Sequence, residues 1–305
     1  MTPTVSILIP NRNERWAQST VDEVLKNATG PIEVVIALDG FWPDPPITPD
    51  PRVVVVHLAE ARGMRPAIDA AAAVARGTYF MKLDAHCMVG PGFDTILAAE
   101  CDKDWVVVPR RYSLDAGTPE APQWRINPEK AHRPVDAHYL CFPYREGRDI
   151  GLHAEVWDAR TKARKDILID DEMSSQGSCW FMHRDHFFTR LGGMPLEGYG
   201  PFVSEFQQIG MKTWLGGGRC VVNKKTWYSH CHKGKTWRRG YFISQPKMIL
   251  GTEWSAYNWC YNQWPKRVAD FEWIIEKFSP VPTWPDNWQD LLAAKKPATP
   301  PLPCP

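Results

Sequence analysis

At 305 residues, the chain is long enough for one large domain, or for a domain with a sizeable appendage. Its 44% apolar and 23% charged residues are ordinary for a globular protein, and a net charge of +1 supplies no global pull toward nucleic acid. No apolar stretch approaches membrane-spanning length, and the opening Met-Thr-Pro-Thr-Val-Ser lacks the basic flank and long core of a signal peptide.

The first half alternates strand-like and helix-like segments. Val5 to Ile9 is a β-branched run ended by Pro10, and residues 17–28 carry Val21, Val24 and Leu25 at helical spacing. Val34 to Leu38 reads as a second strand, closed by Asp39-Gly40 and the proline-rich stretch Phe41 to Pro51. Val53 to His57 is a third strand, Pro66 to Ala75 an alanine-rich helix, and Tyr79 to Leu83 a fourth strand. Strands alternating with helices predict βαβ units, a mainly parallel sheet flanked by helices and an α/β fold. Val106 to Pro109 is a further strand, whereas residues 112–172 read as a polar, irregular excursion near the site.

Order returns at Ser178 to Met182, with a helix near His183 to Leu191 and another near Phe206 to Trp214. Cys220 to Asn223 reads as the last strand. From residue 236 the chain is tryptophan-rich and partly helical (268–278), and Pro280 to Pro305 reads as an extended tail with little core of its own. The eight cysteines are scattered, with no CxxC pair, and read as reduced residues of a cytoplasmic protein. Fifteen tryptophans and 28 prolines crowd toward the carboxyl half, where core and latch are the plain roles for so many rings.

The most informative string is Gly77-Thr-Tyr-Phe-Met-Lys-Leu-Asp-Ala-His-Cys87. In an extended backbone, positions i and i+2 point the same way, so the Asp84 carboxylate and the His86 ring converge at the carboxyl end of a strand. Open α/β sheets bind ligands at that edge. A hard oxygen ligand beside an imidazole, with room left for phosphate oxygens, suits Mn²⁺ or Mg²⁺ better than a closed zinc site. A strand-end cap or local ion pair is the plain alternative. Lys82 is placed on the opposite face of the strand and given a structural role.

Several strings in order carry a resemblance. Ser6-Ile-Leu-Ile-Pro-Asn-Arg-Asn-Glu14, Ala37-Leu-Asp-Gly40, Arg62-Gly-Met-Arg65 and Gly77 to Cys87 resemble GT-A glycosyltransferases of family 2. The Asp-Ala-His-Cys version of the usual Asp-x-Asp motif is similar to that of the polypeptide N-acetylgalactosaminyltransferases. Gln176 to Met182, Leu191-Gly-Gly193, and Glu205 through Trp214 to His230 resemble family 2 transferases carried in bacteriophage genomes. The resemblance covers about residues 5–235. It implies a GT-A domain over 1–235, with a donor-nucleotide half (1–110) and an acceptor and catalytic half (111–235), followed by an extension over 236–305.

It also implies roles. Asp84 and His86 would hold the metal, with His230 as third ligand, although His232 stands two residues on and serves equally well by sequence. Asp39 would reach the base or ribose of a nucleotide, its plain alternative being a turn-forming Asp-Gly. Pro10, Asn11, Arg12 and Glu14 lie just after the first strand on the same edge. Arg65 offers a bidentate fork to donor phosphates, or is simply a solvated cation at a helix start. Glu205 is the implied general base, taking the acceptor hydroxyl's proton during displacement. Similar transferases place two acids there, nine residues before a tryptophan. Glu205 and Trp214 keep the spacing, Phe206 replaces the second acid, and a helix-cap role is the plain alternative. Asp170, Asp171 and Glu172 are spare carboxylates, either an alternative base or a solvated acidic turn. Trp180 and Phe181 are an acceptor platform or a buried strand.

The implied activity is transfer of a sugar from a nucleotide-diphosphate donor, by resemblance a uridine diphosphate sugar, in the (host) cytoplasm. Lys224, Lys225, Lys233, Lys235, Arg238 and Arg239 interleave with Trp227, Tyr228 and Trp237, as a phosphate-tracking, base-stacking surface requires. That segment, 224–239, directs the acceptor reading to a 5-hydroxymethylpyrimidine in phage DNA, with a protein or glycan acceptor as the alternative. It is equally a lid over the donor diphosphate. A nucleotidyltransferase would open with a glycine-rich loop, where this chain has Pro10-Asn-Arg-Asn-Glu14. A binding protein that has lost activity would not be expected to keep Asp84, His86, Glu205 and His230. Retention or inversion at the anomeric carbon stays open, the Asp-Ala-His likeness favouring one and a Glu205 base the other.

Overall fold

Pro10 does not end the first strand. In the computed structural model, which describes residues 3–234 and 236–304, β1 runs Val5–Asn11. It pairs in parallel with β2 (Ile32–Asp39) through Asn11 and with β4 (Tyr79–Leu83) only as far as Leu8. Beyond Leu8 the strand has one neighbour on that ladder, and a proline lacking its N–H is tolerated. Helix α1 (Ala17–Asn27) buries Val21 and Val24, as its spacing predicts, and β3 (Val53–Leu58) closes that edge of the sheet. Helix α2 (Met64–Val74) lays Ala67, Ile68, Ala71 and Ala72 against β1 and β2.

Two small elements follow the Asp-Ala-His string: β5 (Cys87–Val89) and α3 (Phe93–Ala99). Then comes a 13-residue strand, β6 (Trp105–Gly117), far longer than the predicted Val106 to Pro109. The supposed excursion over 112–172 is ordered. It holds β7 (Pro122–Ile126), β8 (His138–Leu140), β9 (Ala154–Val156), α4 (Asp158–Ala163) and β10 (Ile169–Asp171). Ala137 to Phe142 is buried there. Several of the charges that made the segment read as irregular are paired: Arg110 forks onto Asp136 at 2.8 and 2.7 Å, and Arg164 onto Asp170 at 2.6 Å.

Strand β11 (Cys179–His183), a short π-helix (His186–Leu191), α5 (Glu205–Leu215) and β12 (Arg219–His230) complete the main sheet. Its order is β10-β12-β6-β11-β4-β1-β2-β3. The β1, β2, β3 and β4 pairings and the β6–β12 pairing are parallel, while β11 runs antiparallel to β4 and β6. The sheet is therefore mostly parallel but mixed. β12 reaches well past the predicted Asn223, and its end pairs antiparallel with β5, His230 opposite Cys87.

The carboxyl-terminal region is neither extended nor coreless. Helices α6 (Gln245–Cys260), α7 (Phe271–Phe278) and α8 (Trp288–Lys295) pack on the body, and Trp259, Phe271, Ile274, Val281, Trp288 and Leu292 join the same apolar core as the sheet. Trp284 Nε1 donates to the Leu140 carbonyl at 2.7 Å, tying this region to the former excursion. All eight cysteines are buried. No helix among the described residues is long and apolar enough to cross a membrane.

Candidate active site

The end of β4 and the end of β12 meet at one point. Because β12 pairs with β5, and the Cys231 N–H donates to the His86 carbonyl at 3.1 Å, His230 is delivered beside His86. One ligand atom from each of Asp84, His86 and His230 lies within 4.8 Å of the others. His230 Nε2 is 3.2 Å from Asp84 Oδ2, and His86 Nε2 is 3.9 Å from the same oxygen. Neither buried ring nitrogen of His230 makes a well-formed hydrogen bond. Burial lowers the His230 imidazole to about 3, so the ring stays neutral with a lone pair to offer. One carboxylate and two imidazoles, with no fourth protein ligand among the described residues, fit an open divalent-cation site.

Around this trio runs a chain of charges. Lys82 is fully buried, and its Nζ donates to Asp84 Oδ1 at 2.6 Å, to the Gly177 carbonyl, and to Glu205 Oε2 at 3.3 Å. Burial alone would neutralise this ammonium, but the Asp84 and Glu205 carboxylates push its pKa up instead. Burial likewise opposes ionisation of Asp84. Lys82 first, then His230 and His86, more than offset that and hold the carboxyl far below the usual range. Lys82 therefore shares Asp84's face, contrary to the sequence expectation; the i, i+2 rule that unites Asp84 with His86 applies to it equally. On the other flank, Glu14 Oε2 stands 3.1 Å from His86 Nδ1 and also accepts from Lys233 Nζ. The contact with His86 is an electrostatic approach only, because the buried His86 Nδ1 makes no well-formed hydrogen bond.

Glu205 opens α5, and both its oxygens are engaged: Oε1 accepts from Trp180 Nε1 at 2.7 Å and Oε2 from Lys82. Burial raises its pKa, the Lys82 charge opposing. A β-carbon at Gly177 would sit 2.3 Å from Glu205 Oε2, so glycine is required where the backbone crosses this carboxylate.

A cavity of about 790 Å³ opens over the trio, lined by Pro10, Asn11, Arg12, Glu14, Asp39, Lys82, Asp84, His86, Glu205 and His230. Asn11 is 1% exposed, and both polar atoms of its amide lack a protein partner. Asp39 is fully occupied, accepting from Arg12 Nε at 2.7 Å and from the N–H groups of Arg62 (2.6 Å) and Gly63 (2.9 Å). It clamps the 62–63 turn to the strand end, and Gly63, at φ +113°, passes against Pro201 where any β-carbon would be 2.3 Å away. Arg12 also lies over the Tyr241 ring, 5.5 Å from its centroid.

Other expected residues fall elsewhere. Arg65 does not face the cavity. It is 0% exposed, donating to the Val203 carbonyl at 2.6 Å, the Pro195 carbonyl at 3.2 Å and Gln208 Oε1, and lying over the Tyr199 ring at 4.4 Å. Burial lowers it to about 10, still charged at neutral pH. It is the internal strut of the loop leading into α5. Trp180 and Phe181 are fully buried, not a platform. Asp170 and Asp171 are held by Arg164 and Arg219, and Glu172 is buried beside His138.

The basic–aromatic segment also comes apart. Lys224 is buried against the Arg164 carbonyl, Lys225 pairs with Glu100, and Tyr228 is in the core, bonded to Ser178. Lys235 lies outside the described residues. His232, Lys233 and Arg239 line the cavity, together with Tyr241 and Phe242 just beyond the segment, whereas Trp237 packs against Trp16 and donates to the Gly117 carbonyl. Sequence reading missed Trp180's bond to Glu205 and the aromatic lining of 241–242, and only the i, i+2 spacing of Lys82 could have flagged its role.

The family model for glycosyl transferase family 2 matches residues 6–188, more than half of the chain. The chain belongs to that family, a class of sugar-transferring enzymes, and has the GT-A fold. It is similar to the crystal structure of GalNAc-T7 with UDP, GalNAc and Mn²⁺, at 18% identity and a TM-score of 0.66, over 86% of this chain and 50% of that one. It is also similar to the S. aureus TarS 1–349 structure in complex with UDP-GlcNAc, at 13% identity and a TM-score of 0.53, over 88% of this chain and 69% of that one. The chain thus spans half the length of the GalNAc-T7 chain. No curated protein sequence matches it significantly.

Proposed function

We propose that the protein transfers a sugar from a nucleotide-diphosphate donor to an acceptor hydroxyl, with Mn²⁺ or Mg²⁺ held by Asp84, His86 and His230. The observation that carries this reading is the convergence of those three side chains under one cavity, with His230's nitrogens unpartnered. When bound, the cation supplies Lewis-acid neutralisation of the departing diphosphate. Glu14 stands beside the outer nitrogen of His86, and Lys82 keeps Asp84 ionised. The unpaired Asn11 amide offers a donor and an acceptor to a nucleotide base, and a uridine diphosphate carrier is supported by the two sugar-nucleotide structures the fold resembles. Lys233 and Arg239, which line the cavity, would be the cations at hand for the diphosphate. Glu205, its basicity raised by burial, is the base for the acceptor hydroxyl; Trp180 and Lys82 fix its carboxylate.

For the acceptor, the face that pointed to DNA is broken up by the burial of Lys224 and Tyr228, while the phage-type sequence likeness still points to hydroxymethylated DNA. The test is a donor panel of UDP-GlcNAc, UDP-GalNAc and UDP-glucose with Mn²⁺, scored by mass on hydroxymethylated DNA, unmodified DNA and a Ser/Thr peptide. Donor turnover that needs Mn²⁺ supports the transferase reading, and no donor consumption under any condition overturns it. Mass gain confined to hydroxymethylated DNA assigns the DNA acceptor, and gain on the peptide replaces it.

A further inference from the structure

Arg111 is buried on β6, and its guanidinium reaches three acceptors: Gln176 Oε1, His232 Nε2 at 3.2 Å and His138 Nε2 at 3.3 Å. A guanidinium only donates. Both ring nitrogens it touches must therefore accept, which places the proton of each neutral imidazole on Nδ1. The partner that this tautomer needs is present on His138, whose Nδ1 stands 3.2 Å from Glu172 Oε1.

His232 is the more consequential of the two. Its ring centroid lies 4.7 Å from that of His230, at right angles, so it stands beside the metal-ligand trio without belonging to it. With Nε2 held by Arg111 and Nδ1 carrying hydrogen, neither nitrogen offers a lone pair to a cation. That matters for which cation binds. Three ligands leave positions for diphosphate oxygens, as Mn²⁺ and Mg²⁺ sites require, whereas a fourth ligand supplied by another imidazole would complete the closed tetrahedral set that zinc favours.

We propose that Arg111 is a positioning residue that withholds His232 from the metal, keeping the site open and biased against Zn²⁺. The inference rests on the metal-dependent reading above.

The test measures Zn²⁺ and Mn²⁺ dissociation constants calorimetrically on the full chain and on Arg111→Met, His232→Ala, their double variant and Asp84→Ala. Arg111→Met should tighten Zn²⁺ binding about tenfold, within the range by which outer-shell partners tune metal affinity, and adding His232→Ala should remove the gain. His232→Ala alone should leave Mn²⁺ affinity within about twofold, because a residue held off the metal contributes no ligand bond. Nitrogen-15 spectra of the His232 ring in the unaltered protein, which need no variant to fold, should show the proton on Nδ1. Unchanged Zn²⁺ affinity in Arg111→Met, weakened Mn²⁺ binding in His232→Ala, or a proton on Nε2 would each overturn the role given to Arg111. Asp84→Ala separates the two readings: unchanged Mn²⁺ affinity there removes the metal site itself. Lost affinity in Asp84→Ala, with no Zn²⁺ gain in Arg111→Met, removes only the Arg111 proposal.

Discussion

Lys82 Nζ lies 2.6 Å from Asp84 Oδ1, a contact set by two residues two apart on one strand. The same ammonium reaches Glu205, so one buried cation joins a candidate metal ligand to the candidate base. Replacing it with methionine leaves the partly exposed Asp84 and the buried Glu205 without their counter-ion, and the Lys82–Glu205 pair is buried on both sides. Breaking such a pair costs about 3–5 kcal/mol. Lys82→Met should lose stability of that order in urea unfolding, and a loss below about 1 kcal/mol would place the pair in the range of exposed salt bridges instead.

Asp84→Asn keeps the shape of the carboxylate and removes its charge. The donor-site reading expects Mn²⁺-dependent turnover to fall at least about a hundredfold, since a Lewis-acid cation supplies several kcal/mol. The far-ultraviolet circular dichroism should be unchanged, because Lys82 keeps Glu205 as a partner. Full activity in this variant would remove Asp84 from the site.

Gly177→Ala tests the placement of Glu205 without touching its chemistry. The added methyl would lie 2.3 Å from Oε2, so the carboxylate must move. A misplacement of about 1 Å costs on the order of a hundredfold in rate, and loss of a general base 10²- to 10⁴-fold. Steady-state kinetics should show Gly177→Ala and Glu205→Gln both lowering kcat, with the KM for the sugar nucleotide little changed. A raised donor KM with unchanged kcat would make Glu205 a binding residue.

Glu172 gives a pH signature away from the Asp84, His86 and His230 trio. Burial raises its pKa well above the ordinary 4.5, and Asp136 adds to this while Ser175 and Arg111 oppose it. A folded-state pKa above the unfolded one means the folded protein holds the extra proton. Its stabilising contribution is complete below about pH 4.5 and is lost as the pH climbs from there through the raised folded value. Glu172→Gln escapes that loss, so its melting temperature relative to the unaltered protein should improve between pH 5 and pH 8. A difference that stays flat across that range would show that the carboxyl is ionised in the fold throughout.

The donor half was legible because its strands are runs of β-branched residues bounded by turn formers, as at Val34 to Asp39. The segment 112–172 was not, because its strands are three to five residues long and several of its charges find partners only in three dimensions, such as Asp136 with Arg110. Helix α6 escaped for a different reason: its apolar residues spread round the helix and give no stripe. In the site, the convergence of Asp84 and His86 followed from strand periodicity, whereas bringing His230 to them took the β5–β12 pairing. Arg65 was misread because a cation at a helix start looks solvated until the loop carrying Pro195 and Val203 closes over it.

His230 belongs to the last strand of the main sheet, whereas Asp84 and His86 belong to its first half. A ribosome-bound chain that has made only the amino-terminal half therefore has two of the three ligands and no means of closing the set. On the metal-dependent reading proposed above, cation capture would be a late event, its free energy added to the finished molecule alone, since the unfolded chain has no such site. Chelators should accordingly lower the melting temperature of the loaded protein as a whole, making the ion a report on completed folding as well as a reagent.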